Sequence, residues 1–228
     1  PDLSPYQTSR RERELQRGIA ELHSIDVNNL NVQSRMGYQM MELFLRRELF
    51  VSKDLKPLEN NPMRHVGHLN VSGYIRRNYA PLEDRLRSAT KIMTQAPDFL
   101  DVLNRRLIDN LSSHVMDMSS ESYSGMARFY RVDLADATKG IKDSEIITGF
   151  DNARMKAATE LDKFANRLKA RGASGPEGFA IGSELYSGML ATGEGLDVPL
   201  SRIEAIGHEH LIDNPNQLQH VDPLPYPG

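Results

Sequence analysis

Seven histidines and no cysteine frame the chemistry open to this chain of 228 residues. Without a thiol there is no disulfide scaffold, no thiolate zinc site and no cysteine nucleophile. The best-spaced histidines are in His65-Val66-Gly67-His68, because a three-residue step can bring two imidazoles together on one helical turn. Gly67 and the preceding Asn60-Asn61-Pro62 predict a loop there, and no carboxylate at fixed spacing completes a ligand set. The expectation is a structural pair whose ring nitrogens bond backbone groups. A complete enzyme site joining His65 and His68 to Asp117 or Glu121 competes with it, although no spacing draws those carboxylates in.

The other candidates are weaker. His208-Glu209-His210 sits near the zinc-peptidase pattern His-Glu-x-x-His, in which two histidines four apart share a helical face. Here they are two apart, roughly 200° around a helix, and Ile212 stands where the second histidine belongs. A solvated helix end is expected. No Gly-x-Ser-x-Gly elbow exists, and Ser122-Tyr123-Ser124-Gly125 lacks its first glycine. Thr192-Gly193-Glu194-Gly195 follows a helical pattern, not a strand, and no Lys-Ser/Thr pair follows it, so it predicts a reversal of the chain and not a phosphate cradle. Arg76-Arg77 with Tyr74 and Tyr79 could stack on bases and neutralise phosphates. A net charge of -3 and a pI near 6.2 give no general electrostatic pull on nucleic acid. Arg10, Arg11, Arg13 and Arg17 alternate with Glu12 and Glu14 as a mixed-sign, solvated helix face. Asn70-Val71-Ser72 and Asn110-Leu111-Ser112 match the glycosylation triplet, which is common by chance. On this reading no catalytic, cofactor-binding or metal residue is assigned.

The elements that would carry these residues are helical. Leu15, Ile19 and Leu22 form one stripe. From Leu30 to about Phe50, Met36, Met40, Leu43 and Phe44 recur at three- and four-residue steps as an apolar face. Pro81 suits a first helical position, followed by the stripe Leu82, Leu86, Ala89 and Met93, and Pro97 is expected to restart the helix for Phe99, Leu100, Leu103 and Leu107. A Ser-rich stretch, Ser112 to Ser124, is weaker; Met126, Phe129, Tyr130 and Leu134 predict another helix. The clearest runs from about Asp151 to Ala170, burying Ala153, Ala157, Leu161, Phe164 and Leu168, with Gly172-Ala173-Ser174-Gly175-Pro176 ending it. Two short helices remain, around Ile181 to Leu190 and Leu200 to Leu211. No alternating strand run or fixed repeat is visible. The fold class expected is all-α, an irregular bundle of about seven to nine helices, with residues 1–213 as a single domain and 214–228 as an extended Pro-rich tail.

The order of these stretches resembles a known family. Leu22-His23-Ser24-Ile25-Asp26-Val27-Asn28-Asn29-Leu30 with Arg35, then Ala96-Pro97-Asp98-Phe99-Leu100 and Ala158-Thr159-Glu160-Leu161-Asp162-Lys163-Phe164, resemble recurrent segments of the bacterial domain of unknown function 885 family. The block Ile181-Gly182-Ser183-Glu184-Leu185-Tyr186, Leu190, Gly195-Leu196-Asp197, Ile203-Glu204, Ile206-Gly207 and His210-Leu211 is the most specific match. The resemblance implies a mostly helical zinc metallopeptidase of the thermolysin-like class. Its metal motif, a His-Glu pair followed by Pro-Gly-His, has no counterpart here, so no metal or catalytic residue carries over. What it implies is the amino-terminal, non-catalytic helical portion of such a protein, forming part of a substrate cleft wall.

The implied partners are a catalytic carboxy-terminal half holding the zinc, and a peptide substrate; neither nucleic acid nor a membrane is expected. The chain itself is expected to need no cofactor. A start at Pro1, without Met or a leader, and the Pro-rich end suggest a fragment. The mean hydropathy of -0.51 reads as soluble, with the cytoplasm as default and export compatible with trimming. The alternative is a free-standing helical binding or interaction module without catalytic activity.

Overall fold

The computed structural model describes residues 4–109, 111–172 and 180–218, the last seven by backbone alone. Among them there are helices and no strand, the all-α class the periodicity predicts. They divide into two compact units, Pro1–Arg11 with Lys56–Ala180 and Glu12–Leu55 with Ile181–Gly228.

The first unit is built on α5 (Leu82–Arg106), α6 (Ser113–Arg128) and α7 (Ser144–Gly172), which follow α1 (Pro5–His23), α2 (Val32–Phe50) and the short α3 (Pro57–Asn60) and α4 (Ser72–Arg76) in the chain. Glu83 and Asp84 in the first turn of α5, and Arg105 and Arg106 in its last, complement the helix dipole. Asp143 begins α7 by accepting the Glu145 and Ile146 backbone N–H groups at 2.9 and 3.3 Å. Small residues along α7 (Ala153, Ala157, Ala158 and Ala165, all buried) let its two neighbours approach closely. Leu86, Met93, Leu100 and Leu103 of α5, Met116 and Tyr123 of α6, and Phe150, Leu161, Phe164 and Leu168 of α7 fill the space between. Burying a side chain of this size is worth roughly 1.5–3 kcal/mol. The Tyr123 and Phe164 rings meet edge to face, 4.7 Å between centroids.

Three sequence expectations need correction. Pro97 does not restart a helix: α5 runs through it. The proline loses one N–H donor, but Met93, Ala96, Leu100 and Leu103 lie on one buried face across it, so packing on α7 holds both halves in register. The Ser-rich stretch is not weak. It forms α6, where Ser119 and Ser120 are buried and the Ser120 hydroxyl donates to the Ala165 carbonyl at 3.0 Å. The segment expected as a loop around His65 is a 3-10 helix, Pro62–Leu69, capped by Asn61, whose side chain accepts the Met63 N–H at 3.2 Å.

In the second unit α2 is capped by Asn31, which accepts the Ser34 N–H at 2.8 Å, and packs with α8 (Ser183–Gly193). Gly188 makes that approach feasible: a Cβ there would stand 2.6 Å from Cε2 of Phe50. Leu45 sits beside Gly18 of α1. No described residue of this unit is buried. Leu43 is half-buried, but Met36, Met40 and Phe44, expected on the same apolar face, are exposed. Periodicity marks an amphipathic face without saying what covers it.

The last helix, α9 (Leu200–Leu218), keeps helical backbone through Asn214 and Pro215, past the boundary expected at 213; residues 219–228 of the expected tail lie outside the described residues, as do Ala173, Ser174, Gly175 and Pro176. No helix of the described residues is long and apolar enough to cross a membrane.

Candidate functional site

The histidine pair is brought together. His65 and His68 ring centroids lie 6.0 Å apart, and Phe99 of α5 stands edge-on to both, at 6.4 and 5.9 Å. The 3-10 helix that carries them is held at both ends. Tyr123 donates to the Pro62 carbonyl at 2.9 Å, and Tyr130, in the π-helical turn Phe129–Asp133 after α6, donates to the Leu69 carbonyl. Burial pushes both phenols up, so the hydroxyls stay protonated and remain donors. Seven residues separate the two tyrosines and seven the two carbonyls, so one helix edge clamps one histidine segment.

His65 is buried, and its Nε2 lies 3.1 Å from the Leu58 carbonyl oxygen. A carbonyl only accepts, so Nε2 carries the proton and Nδ1 a bare lone pair. That Nδ1 is buried and has no hydrogen-bond partner among the described residues. One ring nitrogen thus has the backbone partner expected of a structural histidine, and the other does not. Burial lowers the His65 pKa, opposed by the Leu58 hydrogen bond and reinforced by His68, Arg106 and Arg64. His68, exposed on the same turn, is lowered by partial burial of its ring. Arg106 is fixed beside them by Glu59 at 3.0 Å.

Two neutral imidazoles make an incomplete set for metal or hydrolytic chemistry. Among the described residues no three of His, Asp and Glu come close enough to hold a metal ion. Asp117 and Glu121 stand exposed on α6 and do not complete the pair. His208 and His210 are exposed on α9, His208 lying 3.9 Å from Glu204 one turn back.

Arg85 is a residue the sequence did not single out. It is buried, and it donates to the carbonyls of Tyr74, Ile75, Arg77 and Ala80 at 2.8–3.2 Å. These include the last carbonyls of α4, so the guanidinium caps that helix at its negative end. The arginine-tyrosine stretch 74–79 is thereby a fastened turn.

A second feature lies between α5 and α7, a groove of about 560 Å³. Arg87, Thr90, Lys91, Thr94 and Gln95 line it from one face of α5, and Glu145, Ile146, Gly149 and Phe150 from α7. The i, i+3, i+4, i+7, i+8 spacing of the α5 set was visible in the sequence as the polar side of an amphipathic helix. What made it a groove, short Thr and Gly side chains meeting from two helices, was not.

Residues 1–222 match the family model described as "Bacterial protein of unknown function (DUF885)". No curated protein and no solved structure matches the chain.

Proposed function

This chain belongs to the bacterial DUF885 family, and from that premise we propose that it serves as a non-catalytic helical portion of a zinc-dependent, peptidase-like protein. In this reading its helices form part of the wall of a substrate cleft, and the zinc and the water-activating glutamate reside on a partner portion that docks against it.

The observation that supports docking is the face of α2. Val32, Met36, Met40 and Phe44 follow one another at four-residue steps and are 83%, 59%, 67% and 54% exposed. Successive members of an i, i+4 row advance only about 40° around the helix, so the four side chains make one continuous ridge. Single exposed apolar residues are ordinary, but contiguous apolar surface marks an interaction site. Methionines suit such a ridge, since an unbranched thioether adapts to its partner.

The test has two arms. The purified chain, supplied with zinc, is assayed on a quenched fluorogenic peptide mixture, and no turnover is expected. It is then mixed with the separately expressed zinc-binding portion of a DUF885 protein and followed by analytical ultracentrifugation. A complex is expected, lost in Met36→Lys/Met40→Lys. Chelator-sensitive turnover by the chain alone, abolished by substituting His65 and His68, would instead make it a complete enzyme. A second reading, a free-standing helical binding module, is favoured by the groove between α5 and α7.

A further inference from the structure

The groove between α5 and α7 lies wholly within the first unit and has a definite chemical polarity. Its floor is apolar, with Phe150 fully buried beneath it. The two threonine hydroxyls on the α5 side are committed as donors, Thr90 to the Leu86 carbonyl at 2.8 Å and Thr94 to the Thr90 carbonyl at 2.9 Å. Their oxygens are left to accept. The ammonium of Lys91 and the carboxylate of Glu145 come from opposite walls, and among the described residues neither side chain has an ion-pair or hydrogen-bond partner, nor do they pair with each other. The other cation of the lining, Arg87, is taken up by Asp143 at 3.3 Å.

One free cation, one free anion, acceptor oxygens and an apolar floor are the complement of a zwitterion with an apolar body. We propose that this groove binds such a ligand, of the free amino acid or short peptide kind. Its carboxylate pairs with Lys91, its ammonium with Glu145, its apolar side chain lies on the floor above the buried Phe150, and any amide N–H is accepted by Thr90 and Thr94. A phosphate-bearing ligand fits less well, because Glu145 opposes it and Arg87 is already neutralised. About 560 Å³ is within the range of roughly 300–1,000 Å³ seen for small-molecule sites. The site stands apart from the peptidase-like reading, since it needs neither zinc nor a partner portion.

Gly149 supplies the decisive variant. Among the described residues a Cβ at this position would meet nothing within 4 Å, and replacing a helical glycine favours the helix. Gly149→Leu therefore fills the groove without disturbing the fold. Isothermal titration calorimetry with leucine and with trileucine tells the two sources apart, the tighter ligand naming its class. For that ligand, saturable binding is expected at about millimolar concentration. Lys91→Met and Glu145→Gln are each expected to weaken it about two- to fivefold, and Gly149→Leu to remove it with an unchanged or raised unfolding temperature. The carboxamide of the tighter ligand is expected to bind less well and to be indifferent to Lys91→Met. Absence of saturable binding by either up to about 10 mM, binding that survives Gly149→Leu, or a carboxamide that binds as tightly as the acid overturns the proposal.

Discussion

The two units of this chain solve the burial problem to different degrees. Every buried apolar residue described belongs to the first, whose α5, α6 and α7 share one continuous core. The second has none, and leaves Val32, Met36, Met40 and Phe44 of α2, with Tyr186, Met189 and Leu196, in water. The same helical alphabet therefore gives a buried core in one case and an exposed apolar surface in the other. Hydrophobic stabilisation follows apolar area removed from water, so the first unit should carry most of the stability.

The sharpest way to break that contrast is to cut into each unit. Phe164→Ala, at the centre of α5, α6 and α7, should cost about 3–5 kcal/mol, and Leu43→Ala, only half-buried on α2, about 1 kcal/mol. Both are read by urea denaturation. Equal losses would erase the asymmetry. The two tight glycines give a matched pair. A Cβ on Gly172 would sit 2.7 Å from the Met116 Cβ, an atom fixed to the α6 backbone, whereas one on Gly188 meets the far edge of the Phe50 ring. Gly172→Ala should therefore cost about 1–3 kcal/mol, and Gly188→Ala less, because the ring can move aside and alanine favours the helix.

Tyr123→Phe, which removes the hydrogen bond to the Pro62 carbonyl inside the first unit, should cost about 1 kcal/mol and loosen the His65–His68 segment, seen as faster amide exchange across 62–69. A pH dependence is expected of the first unit. His65 has a folded pKa lowered from 6.5 by burial. As pH falls below that value the unfolded chain takes the proton first, so the contribution is fully present above about 6.5. It is lost as pH falls towards the folded pKa. Denaturation between pH 7.5 and 5 should show this decline, flattened in His65→Phe. A profile unchanged by that substitution would remove His65 from the account. The smallest effect is expected from Met40→Lys on α2, within about 0.5 kcal/mol, together with reduced binding of an apolar-surface dye.

Much of the first unit was legible because its partners are local or periodic. Leu86, Ala89 and Met93 on α5, and Ala157, Leu161, Phe164 and Leu168 on α7, lie where a 3.6-residue period puts them. Pro97 misled because a local rule yields to a buried face that continues on both sides of it. The serines of α6 misled because a helix packed on two neighbours can bury small hydroxyls that bond its own or a neighbour's carbonyls. For α2 the period was right and the destination was not: Met36 and Met40 form a stripe, but a single chain cannot show that nothing described covers it. The histidine spacing pointed to a real pair. The tyrosines that clamp it are 61 residues away along the chain, and nothing local announces such partners. Arg85 escaped for a different reason: its partners lie only 5–11 residues back, but a lone arginine becomes a helix cap only when a preceding turn folds back over it.

Native-state hydrogen exchange, followed by mass spectrometry along the whole chain, tests the contrast most directly. Amides of α5, α6 and α7 should exchange together and slowest, through global unfolding, while those of α2 and α8 exchange earlier, through local opening. Docking of a partner portion on α2 should slow α2 and leave α5 to α7 unchanged. Protection of α2 and α8 equal to that of α6 in the isolated chain would contradict the account, because the second unit would then be complete without cover.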